Sequence, residues 1–283
     1  MQRNWNWAVP QSFFAEHDGG PGATAETCRA AGIGGLEPFW SALEGWSERR
    51  YDEVGAIYRA AGVALETFHL PFGVEQDLAS FYESARRSAV DNVSAWMERS
   101  VRLGSRIGIL HPGGSSAPVE VEGVDPYLKA FDKSITTLLE RAAALDYTLA
   151  VENLPPRDGV ARFGSRPTHL ARIAAEFEHP NLGFCFDTGH ALMTGRDAIH
   201  GYFTAMGSRL VAFHLSDSPG DRDLHLAPGR GNVDWPRVFR HMGNLGFSGY
   251  ACIETPPFAA GPDYHPDAWR SMVEDTDALV AAA

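Results

Sequence analysis

Hydrophobic residues in this chain recur as short runs, each followed by a polar loop and then by a longer amphipathic segment. Most of the runs are rich in Val, Ile, Leu and Phe, as expected of parallel strands buried on both faces. The first of them, NWAVP, fits an extended loop equally well. The predicted strands are Asn6–Pro10, Gly34–Glu37, Ala64–His69, Ile107–His111, Leu149–Glu152, Gly183–Asp187, Val211–His214 and Ala251–Glu254.

Helical patterns fill the gaps between these runs. Gly32, Gly62 and Gly104 mark helix ends, and Asp125 before Pro126 marks a helix start. The predicted helices are Thr24–Ala31, Glu48–Ala61, Glu75–Leu103 (one long helix or a pair), Pro126–Leu145, one opened by Ser165 and Pro167, Asp197–Met206, one opened by Asp234 and Pro236 that ends near Gly243, and Pro266–Ala281.

Eight strands that alternate with eight helices predict an α/β protein, either a closed barrel or a doubly wound sheet. The 283 residues show no linker, composition break or low-complexity segment. A (β/α)8 barrel occupies about 250 residues as one domain. We therefore expect a single (β/α)8 TIM barrel domain over residues 1–283.

Composition limits the partners and the compartment. The net charge is −12, with 36 acidic against 24 basic residues, which disfavours nucleic acid because its binders usually carry a basic surface. The three cysteines are widely spaced and predict buried free thiols in a reducing compartment. No segment resembles a signal peptide or a membrane span, so the sequence predicts a cytoplasmic enzyme without membrane association.

Ionisable side chains lie at the ends of seven of the eight predicted strands. In a parallel barrel all carboxyl ends of the strands meet at one face, where active sites lie. Without partners, so many polar groups at a desolvated barrel mouth would be unfavourable. The seven are Glu37, His69, His111, Glu152, Asp187, His214 and Glu254.

Four of these residues suit a divalent cation. Glu152, Asp187, His214 and Glu254 offer three carboxylates and one imidazole, a donor set for Mn²⁺, Mg²⁺, Co²⁺ or Zn²⁺. Three carboxylates forced together would repel, and at least one would take up a proton unless a cation neutralised them. The sequence therefore predicts one bound divalent ion, with Mn²⁺ as the first choice.

The motifs FDTGHA at 186–191 and HLSDS with DLHLAPGRGNVDW at 214–235 resemble those of the xylose-isomerase-like barrels. That superfamily includes sugar epimerases, hydroxypyruvate isomerases and the apurinic endonuclease IV group, and the resemblance covers essentially the whole chain. It implies that Glu152, Asp187, His214 and Glu254 are the metal ligands. It also implies that His190 contacts substrate or a further metal.

The endonuclease branch of this superfamily holds three zinc ions with additional ligands. At the matching places this chain has His69, His111, Asp223 and His225. Histidines at such positions also line the substrate pocket of single-metal members. We interpret all four as substrate-binding residues and keep metal ligation as the alternative.

The paired acids Glu152 and Glu254 predict proton transfer. They come from the fifth and eighth strands, so one can remove a proton from a hydroxy-ketone or hydroxy-aldehyde and the other can return one, through a metal-stabilised enediolate. The resembling hydride-shift isomerases carry a lysine two residues after the fifth-strand glutamate, where this chain has Leu154. The sequence thus predicts an isomerase or epimerase of a small polyhydroxylated compound. A trinuclear-zinc phosphodiesterase on abasic DNA is the alternative, and other metal-dependent chemistry on a polyol or keto acid is a third.

Further side chains complete the predicted pocket. Glu37 binds a substrate hydroxyl or hydrogen-bonds within the rim, and Arg230 binds an anionic substrate group or simply faces solvent in a turn. Arg157, Arg162 and Arg166 follow the fifth strand and bear on the nuclease alternative. Association of copies through the outer helices stays open. Aromatic residues near the first two loops either wall the sugar site or pack elsewhere, namely Trp5, Trp7, Phe13, Phe14, Phe39 and Trp40.

Overall fold

Eight parallel strands form one sheet in the order β2-β1-β8-β7-β6-β5-β4-β3. The computed structural model describes residues 1–14, 19–114, 118–257 and 265–283. The strands are β1 Asn6–Pro10, β2 Gly35–Glu37, β3 Thr67–His69, β4 Ile107–Leu110, β5 Thr148–Glu152, β6 Leu182–Asp187, β7 Leu210–Leu215 and β8 Tyr250–Ile253.

The sheet closes between β2 and β3 through isolated bridges at both ends of the two short strands. Gly35 pairs with Ala64, and Phe39 pairs with His69. The backbone N–H of His69 donates to the carbonyl of Pro38 at 2.9 Å. The predicted (β/α)8 TIM barrel is thus confirmed as a nearly closed barrel of eight parallel strands with helices between them.

Helices cover the outside of the barrel. Ser47 and Asp234 cap α2 and α9 by accepting hydrogen bonds from backbone N–H groups of the first turn. Within the described residues the α-helices are α1 Gly20–Ala31, α2 Glu48–Ala60, α3 Glu83–Leu103, α4 Val119–Glu122, α5 Asp125–Leu145, α6 Pro167–Glu176, α7 Thr188–Thr194, α8 Ala198–Met206, α9 Trp235–Asn244 and α10 Pro266–Ala281. No helix in these ranges is long and apolar enough to cross a membrane.

The start predicted for the third helix, at Glu75, is wrong. A short 3-10 turn occupies Val74–Gln76, and α3 begins only at Glu83. Between them, Asp77 accepts a hydrogen bond from the backbone N–H of Ala79, and Ser80 accepts one from that of Tyr82. Such local side-chain bonds offer the backbone an alternative to the helix.

The structure also differs from the sequence analysis at two other helices. Asp125 is the first residue of α5 and forms no side-chain cap, since its carboxylate pairs with Arg172 at 3.0 Å. The helix α7 was not predicted. It begins directly after β6, because Asp187 ends the strand and its side chain caps the helix.

The interior of the barrel below the strand ends contains a layer of mostly small residues. Ile109, Ala150, Cys185 and Ala212 form a separate buried cluster from four successive strands. Side chains two positions apart on a strand point to the same side, so each lies one layer below a residue of the barrel mouth. Ala150 therefore lies beneath Glu152, and Cys185 beneath Asp187. The predicted buried free thiols are present at Cys28, Cys185 and Cys252.

Candidate active site

All seven ionisable residues predicted at the strand ends lie at the carboxyl face of the barrel. Glu37, Asp187 and His214 are inaccessible to solvent, and Glu152 is 1% exposed. Along the chain, Glu37 and His214 are 177 positions apart. The parallel barrel therefore gathers them as its topology requires.

Glu152, Asp187, His214 and Glu254 form the first cluster, which we call the quartet. One potential ligand atom of each lies within 4.8 Å of those of the others. Nδ1 of His214 lies 3.1 Å from Oε1 of Glu152 and 3.2 Å from Oε2 of Glu254. Two carboxylates from different strands thus meet at one imidazole nitrogen.

The electrostatics of the quartet fit a cation. Burial, together with Glu152 and Glu254, raises the pKa of Asp187 to about 7, although His190 opposes the rise. Oδ2 of Asp187 has no hydrogen-bond partner among the described residues, despite its burial. A buried carboxylate oxygen of this kind is unfavourable unless something positive reaches it. The donor set of three carboxylates and one imidazole fits a hard or borderline divalent ion.

Without a cation in the quartet, the surroundings of His214 favour its protonated form. Burial opposes its protonation, but the surrounding carboxylates of Glu37, Glu254 and Glu152 outweigh that effect and hold its pKa well above the usual value. His214 in turn lowers the pKa of Glu254 to about 2, against the effect of burial. Both glutamates of the quartet are therefore ionised at neutral pH.

Glu37 supports the quartet from below. Its Oε1 accepts a hydrogen bond from Nε2 of His214 at 2.9 Å, and it is not among the residues that line the cavity described below. A carboxylate that binds the second nitrogen of a metal-ligating histidine fixes the ring orientation. Of the two alternatives for Glu37, the position favours hydrogen bonding within the rim over contact with substrate.

His69 and His111 lie on the other side of Glu152. Nε2 of His111 is 3.0 Å from Oε2 of Glu152, and Nε2 of His69 is 3.6 Å from the same oxygen. Nδ1 of His69 donates to the carbonyl oxygen of Leu70 at 3.2 Å, so that Nε2 is the nitrogen that faces Glu152. Burial lowers the pKa of His111 to about 4, so that this ring is neutral and able to bind a metal or accept a hydrogen bond.

His190, Asp223 and His225 form a third group. Nε2 of His190 lies 3.3 Å from Asp223, and Nε2 of His225 lies 3.5 Å from it. Nδ1 of His190 donates to the carbonyl of Asn153, and Nδ1 of His225 donates to that of Glu254, both at 2.9 Å. The two Nε2 atoms are therefore directed toward one carboxylate.

Asn153 is a structural residue of the site that the sequence reasoning missed. Its side chain accepts from the backbone N–H of Asp187 at 2.8 Å and donates to the carbonyl of Asp187 at 2.9 Å. It is fully buried and ties the end of β5 to that of β6. The available signal was an amide directly after a strand-end glutamate, but its partners become visible only in the fold.

A cavity of about 280 Å³ opens above these clusters. Phe39 and Phe72 form its apolar wall. The ring of Phe39 stacks on His69 at a centroid distance of 4.4 Å, and that of Phe72 is tilted against it at 4.7 Å. Phe72 was not anticipated. Of the six aromatic residues considered above, Phe39 alone lines this cavity, while Trp5 and Trp7 pack with Phe239 in the core. The remaining lining residues are Gly73, His111, Gly113, Gly114, Glu152, Pro155, Arg157, Arg162, His190, Asp223, His225 and Glu254.

Two features lie away from this cavity. Arg230 is exposed, with its guanidinium 3.4 Å from the carboxylate of Asp275, so its position gives no support to binding of a substrate anion. A larger groove of about 580 Å³ lies on the outside of the barrel, beside α4 and α6. It includes none of the strand-end residues, and we place the chemistry in the smaller cavity for that reason.

The fold and the clusters define a (β/α)8 barrel with an acidic and histidine-rich centre at the carboxyl ends of its strands. The family model for the xylose isomerase-like TIM barrel matches residues 25–274, and the chain belongs to this family.

Three curated relatives illustrate its range. An uncharacterised protein of Methanocaldococcus jannaschii is 28% identical over 187 residues, which are 66% of this chain and 62% of the relative. A probable endonuclease 4 of Citrifermentans bemidjiense is 30% identical over 150 residues, 47% of this chain and 51% of that protein. Fructoselysine 3-epimerase of Escherichia coli O157:H7 is 23% identical over 175 residues, 61% of this chain and 60% of the epimerase. The matches thus span about 60% of the length of the first curated relatives.

Solved structures resemble the chain over its whole length. A D-tagatose 3-epimerase-like protein superposes with a TM-score of 0.78 over 98% of both chains, at 21% sequence identity. At that identity the likeness shows the fold alone.

Proposed function

We propose that this protein is a divalent-metal-dependent isomerase or epimerase of a small polyhydroxylated compound, a sugar or hydroxy-ketone, that works by proton transfer. The observation that carries the proposal is the meeting of Glu152 and Glu254 at Nδ1 of His214. Both glutamates line a cavity whose volume, about 280 Å³, lies near the lower end of small-molecule pockets. The fructoselysine 3-epimerase among the curated relatives supports the same class of reaction.

The quartet would hold one divalent ion. When bound, such an ion would polarise adjacent substrate oxygens and acidify the C–H bond between them. Glu37 and Asn153 orient His214 and Asp187 for this purpose. Mn²⁺ is our first choice, with Mg²⁺, Co²⁺ and Zn²⁺ as alternatives, because oxygen donors predominate.

The two glutamates act as the acid and base. One takes the proton from the carbon beside the carbonyl, and the other returns a proton to the opposite face or to the neighbouring carbon. Without a cation, His214 lowers the pKa values of both carboxyl groups; a bound ion would take over this role, because His214 would release its proton to coordinate it. The histidines at 69, 111, 190 and 225, with Asp223, would bind the substrate hydroxyls around this centre.

The residues after Glu152 favour proton transfer over a hydride shift. Leu154, at the position where hydride-shift relatives carry a lysine, is fully buried. The amide of Asn153 is occupied by the backbone of Asp187. No charged group at either position can therefore assist a hydride transfer.

Metal analysis combined with isotope exchange tests the proposal. The purified chain, incubated with Mn²⁺ and a panel of ketoses in deuterium oxide, is expected to bind about one ion and to place deuterium on the carbon beside the carbonyl of one ketose. Chelation is expected to abolish the exchange, and reloading with Mn²⁺ to restore it. Absence of exchange with every ketose of the panel would contradict the proposal.

A phosphodiesterase on abasic DNA is the second candidate, and one observation favours it. His69, His190 and His225 each donate Nδ1–H to a backbone carbonyl and direct Nε2 to a carboxylate, an arrangement typical of metal ligands. Together with the quartet, two three-residue groups could hold further ions, namely His69, His111 and Glu152, and His190, Asp223 and His225. Three zinc ions per chain with cleavage of an abasic duplex would establish this candidate. The net charge of −12 disfavours it.

A further inference from the structure

Arg157 and Arg162 line the cavity, and the proton-transfer chemistry gives them no role. They follow β5, on the same wall of the cavity as Pro155. Neither forms an ion pair with a carboxylate of the described residues, although the chain carries 36 acidic residues. By contrast, Arg166 and Arg172, just beyond them, pair with Glu120 and Glu176 at 2.9 and 2.5 Å.

Arg162 is held in place by its own loop. Its Nε donates to the carbonyl of Pro155 at 2.8 Å, and the residue lines the cavity. The backbone is fixed by Ser165, whose hydroxyl accepts from the N–H of Arg162 at 3.0 Å. Burial and the charge of Arg157 lower the pKa of Arg162 to about 10, against the opposing effect of Glu152 and Asp223, so that Arg162 is still protonated at neutral pH.

A tight hairpin holds Arg157. The backbone groups of Arg157 and Val160 exchange two hydrogen bonds of 2.9 Å. Asp158 and Gly159 between them have φ values of 50° and 75°, the left-handed pair of a two-residue hairpin turn. The residue therefore stands on a formed turn, next to a second guanidinium of the same charge.

We propose that Arg157 and Arg162 bind an anionic group of the substrate, a phosphate or a carboxylate, while the quartet acts on the polyhydroxylated part. An anion that lies between two guanidinium groups is attracted by both of them and offsets their mutual repulsion. Guanidinium groups present planar pairs of donors that match both anions. The inference rests on the proposed function for the remainder of the substrate, which is thus a sugar phosphate or a sugar acid.

The size of the cavity agrees with one small ligand. Gly73 and Gly114 meet so closely that a Cβ on Gly114 would lie 2.3 Å from the carbonyl oxygen of Gly73. Gly113 lines the same region. Side chains are therefore excluded from this wall, and a cavity of about 280 Å³ remains open to a substrate of monosaccharide size.

Binding of inorganic phosphate and of acetate to the Mn²⁺-loaded chain tests the inference without any turnover. Calorimetric titrations compare the parent protein with the double variant Arg157→Ala/Arg162→Ala. The variant Arg172→Ala, which removes an arginine paired outside the cavity, is the matched control. Melting temperatures and Mn²⁺ content are measured for all three to establish that they are folded and loaded.

We expect the double variant to bind its preferred anion on the order of ten- to a hundredfold more weakly, as for loss of charge-assisted hydrogen bonds. Arg172→Ala is expected to retain the parent affinity. Tighter binding of phosphate than of acetate would assign a sugar phosphate, and the reverse a sugar acid. Equal affinities in all three proteins, or no anion binding by the parent, would overturn the inference. Failure of ketose exchange alone would refute the proposed reaction and leave the anion result standing.

Discussion

Glu37 and His214 are joined by a hydrogen bond of 2.9 Å across two intervening strands of the barrel, and neither is accessible to solvent. Glu37 ends β2 and His214 lies near the end of β7, with β1 and β8 between them in the sheet. Because a carboxylate only accepts hydrogen bonds, Nε2 of His214 must donate to Glu37. Nδ1 is the nitrogen that faces Glu152 and Glu254. The metal-binding role that we propose for His214 thus depends on a residue outside the quartet.

Glu37→Gln is expected to weaken Mn²⁺ binding by roughly ten- to a hundredfold, as seen for carboxylates that orient a ligating histidine. The amide can present its N–H₂ group to Nε2 and favour the wrong ring tautomer. Competition titration with a chelator of known affinity measures the effect. Glu44→Gln, at an exposed glutamate, serves as the control and should bind Mn²⁺ as the parent does. An unchanged affinity in Glu37→Gln would remove Glu37 from the support of the site.

Glu254→Gln is expected to reduce deuterium incorporation into the accepted ketose by about 10²- to 10⁴-fold, the usual contribution of a general acid or base. The amide retains an oxygen that can face a cation but cannot exchange a proton with carbon. Mass spectrometry of the recovered sugar gives the rate, at saturating Mn²⁺ and with the metal content verified. Glu274→Gln, at an exposed position of α10, should exchange at the parent rate. Full exchange by Glu254→Gln would exclude Glu254 as the acid or base.

Asn153→Ala is expected to lower the free energy of unfolding by about 2 to 4 kcal/mol, because the buried backbone N–H and carbonyl of Asp187 both lose their partner. Mn²⁺ affinity should fall as well, since Asp187 is no longer held. Urea unfolding and metal titration measure the two effects. Asn181→Ala removes one bond to the carbonyl of Tyr147 and should cost about 1 kcal/mol without changing Mn²⁺ affinity. If Asn153→Ala resembled Asn181→Ala in both measurements, the bridge to Asp187 would be unimportant.

Chelation is expected to lower the melting temperature, and by more at pH 9 than at pH 6. Burial raises the pKa of Asp187 to about 7, so ionisation of this group costs stability as the pH rises from about 4 to 7. Despite burial, nearby carboxylates raise the pKa values of His190 and His225 to about 9 and about 10. The stability that these two histidines contribute is present below about pH 6.5 and is lost as the pH rises through those values.

Asp187 and the two histidines therefore all lower the stability of the chelated protein as the pH rises. Mn²⁺ binds more tightly over the same range, because its ligands lose the protons that compete with it. Calorimetric scans at pH 6, 7.5 and 9, with Mn²⁺ and with chelator, measure the difference. A metal-dependent increase in melting temperature that shrinks with rising pH would contradict the expected pH dependence.

The alternation of buried runs and amphipathic segments predicted a parallel α/β fold, because parallel strands covered on both faces require continuous apolar stretches. The length of the chain and its ionisable strand ends then favoured the closed barrel over a doubly wound sheet. Strand ends at Glu152 and Asp187 were predicted at the observed residues. Helix starts were less accurate, as at Asp77 and Ser80, where local side-chain bonds compete with the helix and do not alter the hydrophobic pattern.

The sequence by itself determined that seven ionisable groups would meet at one face, since the topology of a parallel barrel brings every strand end there. It also named the quartet, whose chemistry follows from residue types. Only the tertiary structure decided which groups support the quartet and which groups line the cavity. Glu37 hydrogen-bonds to His214, and Asn153 hydrogen-bonds to the backbone of Asp187. Arg162 lines the cavity, whereas Arg230 pairs with Asp275 outside it. The physical reason is that a hydrogen-bond partner is fixed by distances of about 3 Å between residues far apart in the chain, which the order of amino acids does not display.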